Sequence, residues 1–161
     1  MDYTNLQILA EVSVTLLGFS GLTAVIGHSR FDQRGVAYRT LLLLYCSSLA
    51  FVGSILPLVG VPIWLAAISL AASMTLITVW VGRKMLGPSE IKVQTSLVLN
   101  LIFYPLGVMV LLFLWWSIIS SAEQLLFIYQ LSIGFNLVLG AAAFVRLVRS
   151  AFVTEVRSGN D

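Results

Sequence analysis

The feature that most limits what this chain can become is a set of five apolar runs that together take up nearly all of its 161 residues. They cover about 6–27, 38–56, 63–81, 91–117 and 123–148. Runs of roughly twenty apolar residues span the ~30 Å hydrocarbon core of a bilayer as helices. A helix suits that solvent because it satisfies its own backbone amides without water. Charged residues make up only 10% of the chain, against about a quarter in soluble domains, and the connections are too short to fold by themselves. The pattern predicts an all-α polytopic integral membrane protein: one transmembrane domain of five helices over 1–161, with the lipid bilayer as its surroundings.

Lys and Arg accumulate in cytoplasmic connections, so their placement reports orientation. Arg30, Arg34 and Arg39 flank the first connection, and Arg83, Lys84 and Lys92 flank the third. Arg146, Arg149 and Arg157 belong to the end of the chain. The N-terminal stretch, the reversal between Pro57 and Pro62 and the turn from Ser117 to Gln124 carry none. All nine basic residues thus fall on one side of a five-helix arrangement. This predicts an N-terminus outside, a C-terminus in the cytoplasm and multi-pass residence in a cell inner membrane. Trp64, Trp80, Trp115 and Trp116 fall near span ends, where indole prefers the headgroup level. Met1-Asp2-Tyr3 lacks the basic region of a secretory signal, and the run that follows exceeds a signal's apolar core, so it reads as a retained span.

Several function classes drop out on composition. A net charge of +2 from so few ionisable groups builds no basic surface for phosphates, so no nucleic acid is expected as a partner. One cysteine, Cys46, excludes an intrachain disulfide and a cysteine-based metal site. One histidine, His28, excludes bis-histidine ligation, and its place beside Arg30 reads as interfacial. No metal and no cofactor is expected.

Glu11 is the acid that lies well inside an apolar run. At ~1.5 Å per residue it sits about 8 Å to the outer side of its span's middle, within hydrocarbon. An ionisable group there is expected to face protein, water or a cation. Thr15 and Gly18 follow at i+4 and i+7 on its face, while Ser13 and Ser20 form a second polar stripe. The competing reading has Glu11 bonded to a neighbouring helix or reaching outward to the headgroups.

Gly18-Phe19-Ser20-Gly21 resembles, over four residues, the serine-centred motif of rhomboid intramembrane proteases. That chemistry needs a histidine on another helix. His28 is eight residues further along the same one, ~12 Å away along the axis. No catalytic residue is therefore assigned, and an enzyme is not expected. Gly18 and Gly21 read instead as sites of close helix packing or gating.

Asn136, near the middle of the fifth run, has Ser132 and Gly140 one turn to either side, and Pro105 interrupts the fourth run at similar depth. Together they suggest either a polar site at the midplane or an interhelical hydrogen bond and a proline kink. Small residues recur at Cys46, Ala50, Gly53 and Pro57, and at Ala71, Thr75, Thr78 and Gly82. These stripes predict helix interfaces.

A lone carboxylate makes a poor transporter, but repetition about a symmetry axis converts it into a ring of the kind that selects cations. The sequence therefore leads to a small homo-oligomeric channel passing cations along a path lined by the first helix. Glu11, Thr15 and Ser20 would supply that path, and Gly18, Gly21, Pro105 and Asn136 the packing or gating. The alternative is a non-conducting accessory or scaffold subunit whose partner is another membrane protein.

Overall fold

The computed structural model describes residues 4–28, 34–86, 97–120 and 123–158, with side chains over 4–22, 40–83, 102–120 and 123–148. Within those limits the chain is all-helical: α1 Thr4–His28, α2 Arg34–Leu58, α3 Ile63–Leu86, α4 Leu97–Ile119 and α5 Leu125–Ser158. All five are long and apolar enough to cross a membrane. The first connection at 29–33, the stretch 87–96 with the start of the fourth run, and Ser121 and Ala122 lie outside the described residues.

Two helices continue further than the runs suggest. Pro57 does not end the second helix, which continues to Leu58, because a proline one residue from a helix end forfeits a single hydrogen bond. The fifth helix does not stop at Val148 in favour of a polar tail. It continues to Ser158, since no Gly or Pro interrupts it before Gly159.

The α2–α3 reversal is a Schellman closure. Val61 N donates to Leu56 O at 3.0 Å and Gly60 N to Pro57 O at 3.2 Å, with Gly60 at φ +91°. That left-handed position suits glycine at a helix C-terminus. Pro62 then leads into α3, and its carbonyl accepts from Ala66 N at 3.1 Å.

Four helices surround the fifth. α1, α2, α3 and α4 pack each on the next in chain order, and all of them touch α5. Among the described residues α1 and α4 share at most a marginal contact, so the arc is open between them. Packing is closest where side chains are small, as the stripes predict. A Cβ on Gly53 would meet Ile133 at 3.4 Å, and one on Gly140 would meet Ser47 and Cys46 at 3.5 and 3.6 Å. Close approach is what holds helices together where lipid is as apolar as leucine.

Polar ties then fix the register. Three consecutive residues of α3 each accept a hydrogen bond from a different helix. Tyr45 on α2 donates to Ser73 O at 3.0 Å. Asn136 on α5 donates through Nδ2 to Met74 Sδ at 3.5 Å. Trp115 on α4 donates through Nε1 to Thr75 Oγ1 at 3.1 Å. Trp115 is thus turned inward, while Trp64, Trp80 and Trp116 are exposed.

Pro57 has no N–H for the carbonyl four residues back, that of Gly53. The hydroxyl of Tyr129, fully buried on α5, donates to that carbonyl instead. Tyr129→Phe should therefore lower stability to unfolding in mixed micelles by about 1 kcal/mol or more, the cost of a buried group left unpaired. In a Pro57→Ala background, where residue 57 regains its N–H, the same change should cost measurably less. Equal costs in the two backgrounds would refute the assignment.

Candidate functional site

The interior offers little chemistry. Its buried polar side chains are Ser13, Ser20, Ser47, Ser54, Ser117, Ser132 and Asn136, and none of them is charged. Most return a hydroxyl to their own helix: Ser13 to Leu9 O at 2.6 Å, Ser54 to Ala50 O at 2.8 Å, Ser132 to Ile128 O at 2.8 Å. Serine in an apolar helix does this because no water is present to take the bond. Ser47 and Ser117 hydroxyls are buried without a partner. Among the described residues no three of His, Cys, Asp and Glu come together as a metal site would require.

The ionisable group lies on the outside. Leu6, Ser13 and Ser20 are fully buried on one side of α1, with Leu9 and Leu16 packed against the core. On the other side Thr4, Gln7, Glu11, Thr15, Gly18 and Leu22 are all exposed. Their separations of three and four residues place them in one line along the helix. Thr15 Oγ1 donates to the Glu11 carbonyl at 3.0 Å. The Glu11 carboxylate has no hydrogen-bond or ionic partner among the described residues. Phe19, at the flank of this line, packs on Phe144 of α5 with ring centroids 5.8 Å apart.

The path expected from sequence is divided by this geometry. Glu11 and Thr15 share a face, but Ser20 lies opposite, buried, with its hydroxyl on Leu17 O at 2.7 Å. Nine residues are two and a half turns at 3.6 residues per turn, so Glu11 and Ser20 point in opposite directions. Gly18 and Gly21 meet nothing: a Cβ at either would have no atom within 4 Å. Among the described residues they pack against no other helix.

Pro105 lies on the exposed side of α4. Asn136 is buried, holding Met74 and Ser132 O, the latter at 2.8 Å. The two sit at similar depth, since Gly107 packs on the ring of Phe135, but on different faces, so no polar site joins them. The side chains of His28 and Asn100 lie outside the described residues. Gln7 and Leu22 belong to the Glu11 line and were not singled out from sequence, although the same spacing rule places them there.

No family model, no curated protein and no solved structure matches this chain. The site therefore has to be interpreted from its own geometry.

That geometry is a polar and small-residue line directed away from the protein's own core. In a bilayer spanned by α1, an ionised carboxylate exposed to acyl chains costs about 2.5–3.5 kcal/mol at mid-depth. A donor or cation supplied from beyond the chain offsets it. If the line serves only contacts between molecules, Gly18→Leu should leave unfolding of the isolated protomer unchanged. Gly140→Leu, set against Ser47 and Cys46, should destabilise it by about 1–3 kcal/mol through overpacking. Equal losses in the two variants would place Gly18 inside the fold.

Proposed function

We propose that the chain is a multi-pass inner-membrane protein that assembles with copies of itself through the outward face of α1 and passes cations along that face. The observation that carries this reading is Glu11, exposed and without a partner among the described residues, on a helix apolar enough to span a membrane. Assembly about an axis would gather the Glu11 carboxylates into a ring with Thr15 hydroxyls one turn further in, and carboxylate rings favour cations over anions. Gly18 and Gly21, open in the protomer, would let neighbouring helices approach closely. The segregation of basic residues supports an outside N-terminus, which puts Glu11 toward the outer mouth.

A second reading is favoured by one specific observation. Between Gly18 and Leu22 the line carries no polar side chain, and Ser20 is turned into the core. That stretch of such a path is therefore less polar than the spacing of serines in the sequence suggests. In this reading the face binds another membrane protein and nothing is conducted, with Glu11 meeting a basic or polar group of the partner.

Flux from liposomes separates the two. Protein reconstituted alone should release potassium, and Glu11→Gln should reduce that release several-fold while leaving the fold intact. Release that is absent, or indifferent to Glu11→Gln, would discard the channel and leave the accessory role.

A further inference from the structure

In a ring whose axis runs along the membrane normal, every copy of α1 points the same way, so every Glu11 stands at one depth. Carboxylates brought together in a low-dielectric setting cannot all stay ionised without positive charge between them. Among the described residues nothing in the protomer provides that charge. Arg83 and Arg146 are the cationic side chains among the described residues. Arg83 belongs to α3, which does not pack substantially on α1. Arg146 lies on α5 two residues beyond Phe144, the partner of Phe19, and so about 15 Å along the axis from Glu11 at ~1.5 Å per residue.

Among the described residues, the other titratable groups on the two helices packed against α1 are committed elsewhere. Tyr45 is bonded to Ser73 O, Tyr129 to Gly53 O, and Cys46 is buried beside Gly140. None faces Glu11. On its own line the polar neighbours four residues away are Gln7, which carries no charge, and Thr15, which already spends its proton on the Glu11 carbonyl.

Resting on the oligomeric reading above, we infer that the α1 faces stay together only while the Glu11 carboxylates are neutralised by a divalent cation or a proton held between them. The assembly state of the chain is then itself controlled by cations and pH. The sign follows from the charge: alkaline conditions without cations leave like charges opposed and separate the protomers, whereas acid or added cation joins them.

The test uses the full chain in mild detergent, with mass measured by light scattering at about pH 5 and about pH 9, each with a chelator or with calcium. Wild type should fall several-fold in mass, to the protomer, at alkaline pH with chelator. It should regain its size when calcium is added or the pH is lowered, and the arm that restores it tells which neutraliser acts. Glu11→Gln should keep one size in all four conditions, and Glu11→Asp should keep the wild-type dependence.

A wild type that holds its full size at alkaline pH with chelator overturns the inference while leaving the oligomer standing. A Glu11→Gln variant that separates as wild type does assigns the dependence to another group and overturns it too. Protomers in every condition, for wild type and Glu11→Gln alike, remove the oligomeric reading and this inference with it.

Discussion

The carbonyl of Gly53 has to find a donor inside the protein, because Pro57 cannot supply one and the residue is buried away from water. Tyr129 meets that need from α5, and in doing so sets how α2 and α5 lie against each other. Ile133, one turn further along α5, packs onto the glycine whose carbonyl Tyr129 holds. The same pairing continues inward to Gly140, against Leu43, Cys46 and Ser47. A single unsatisfied backbone group thus fixes the contact around which the other helices are placed.

The same economy explains α3. Its middle presents Ser73, Met74 and Thr75 to three different helices, each of which contributes one donor. Individually such bonds are worth about 0.6 kcal/mol in membrane bundles. Placed at one level on one helix, however, they exclude a slip of α3 by a turn, since a slip would break all three. Packing against apolar neighbours sets which face is buried, and the polar ties set the height.

Against that interior, α1 stands apart. Its core-facing side is as well satisfied as the rest of the bundle, while its outward side carries the acid and two glycines without contacts. Ser47 and Ser117 aside, the buried polar side chains of the described residues are bonded within the bundle, whereas the Glu11 carboxylate has no partner among those residues. The proposed cation conduit, its alternative of a binding partner and the inferred charge-dependent assembly all start from that one exposed carboxylate.

The sequence alone determined the number of apolar helices. Its small-residue spacing also marked the close contacts at Gly53 and Gly82, though it could not tell them from the open positions of Gly18 and Gly21, because apolar length and spacing are local properties that do not say which side of a helix meets a neighbour. It placed Asn136 at a special point as well, since an amide inside an apolar run must be accommodated by a neighbour, whereas Pro57 read only as one end of the reversal between two helices. Only the tertiary structure decided who that neighbour was: Met74 for Asn136, and Tyr129 for the carbonyl that Pro57 leaves open. It also decided that Ser20 looks inward and Glu11 outward, which spacing relates to each other but cannot orient toward a core. The reason is that periodicity fixes angles between side chains on one helix, whereas the direction of the core is set by the four other helices.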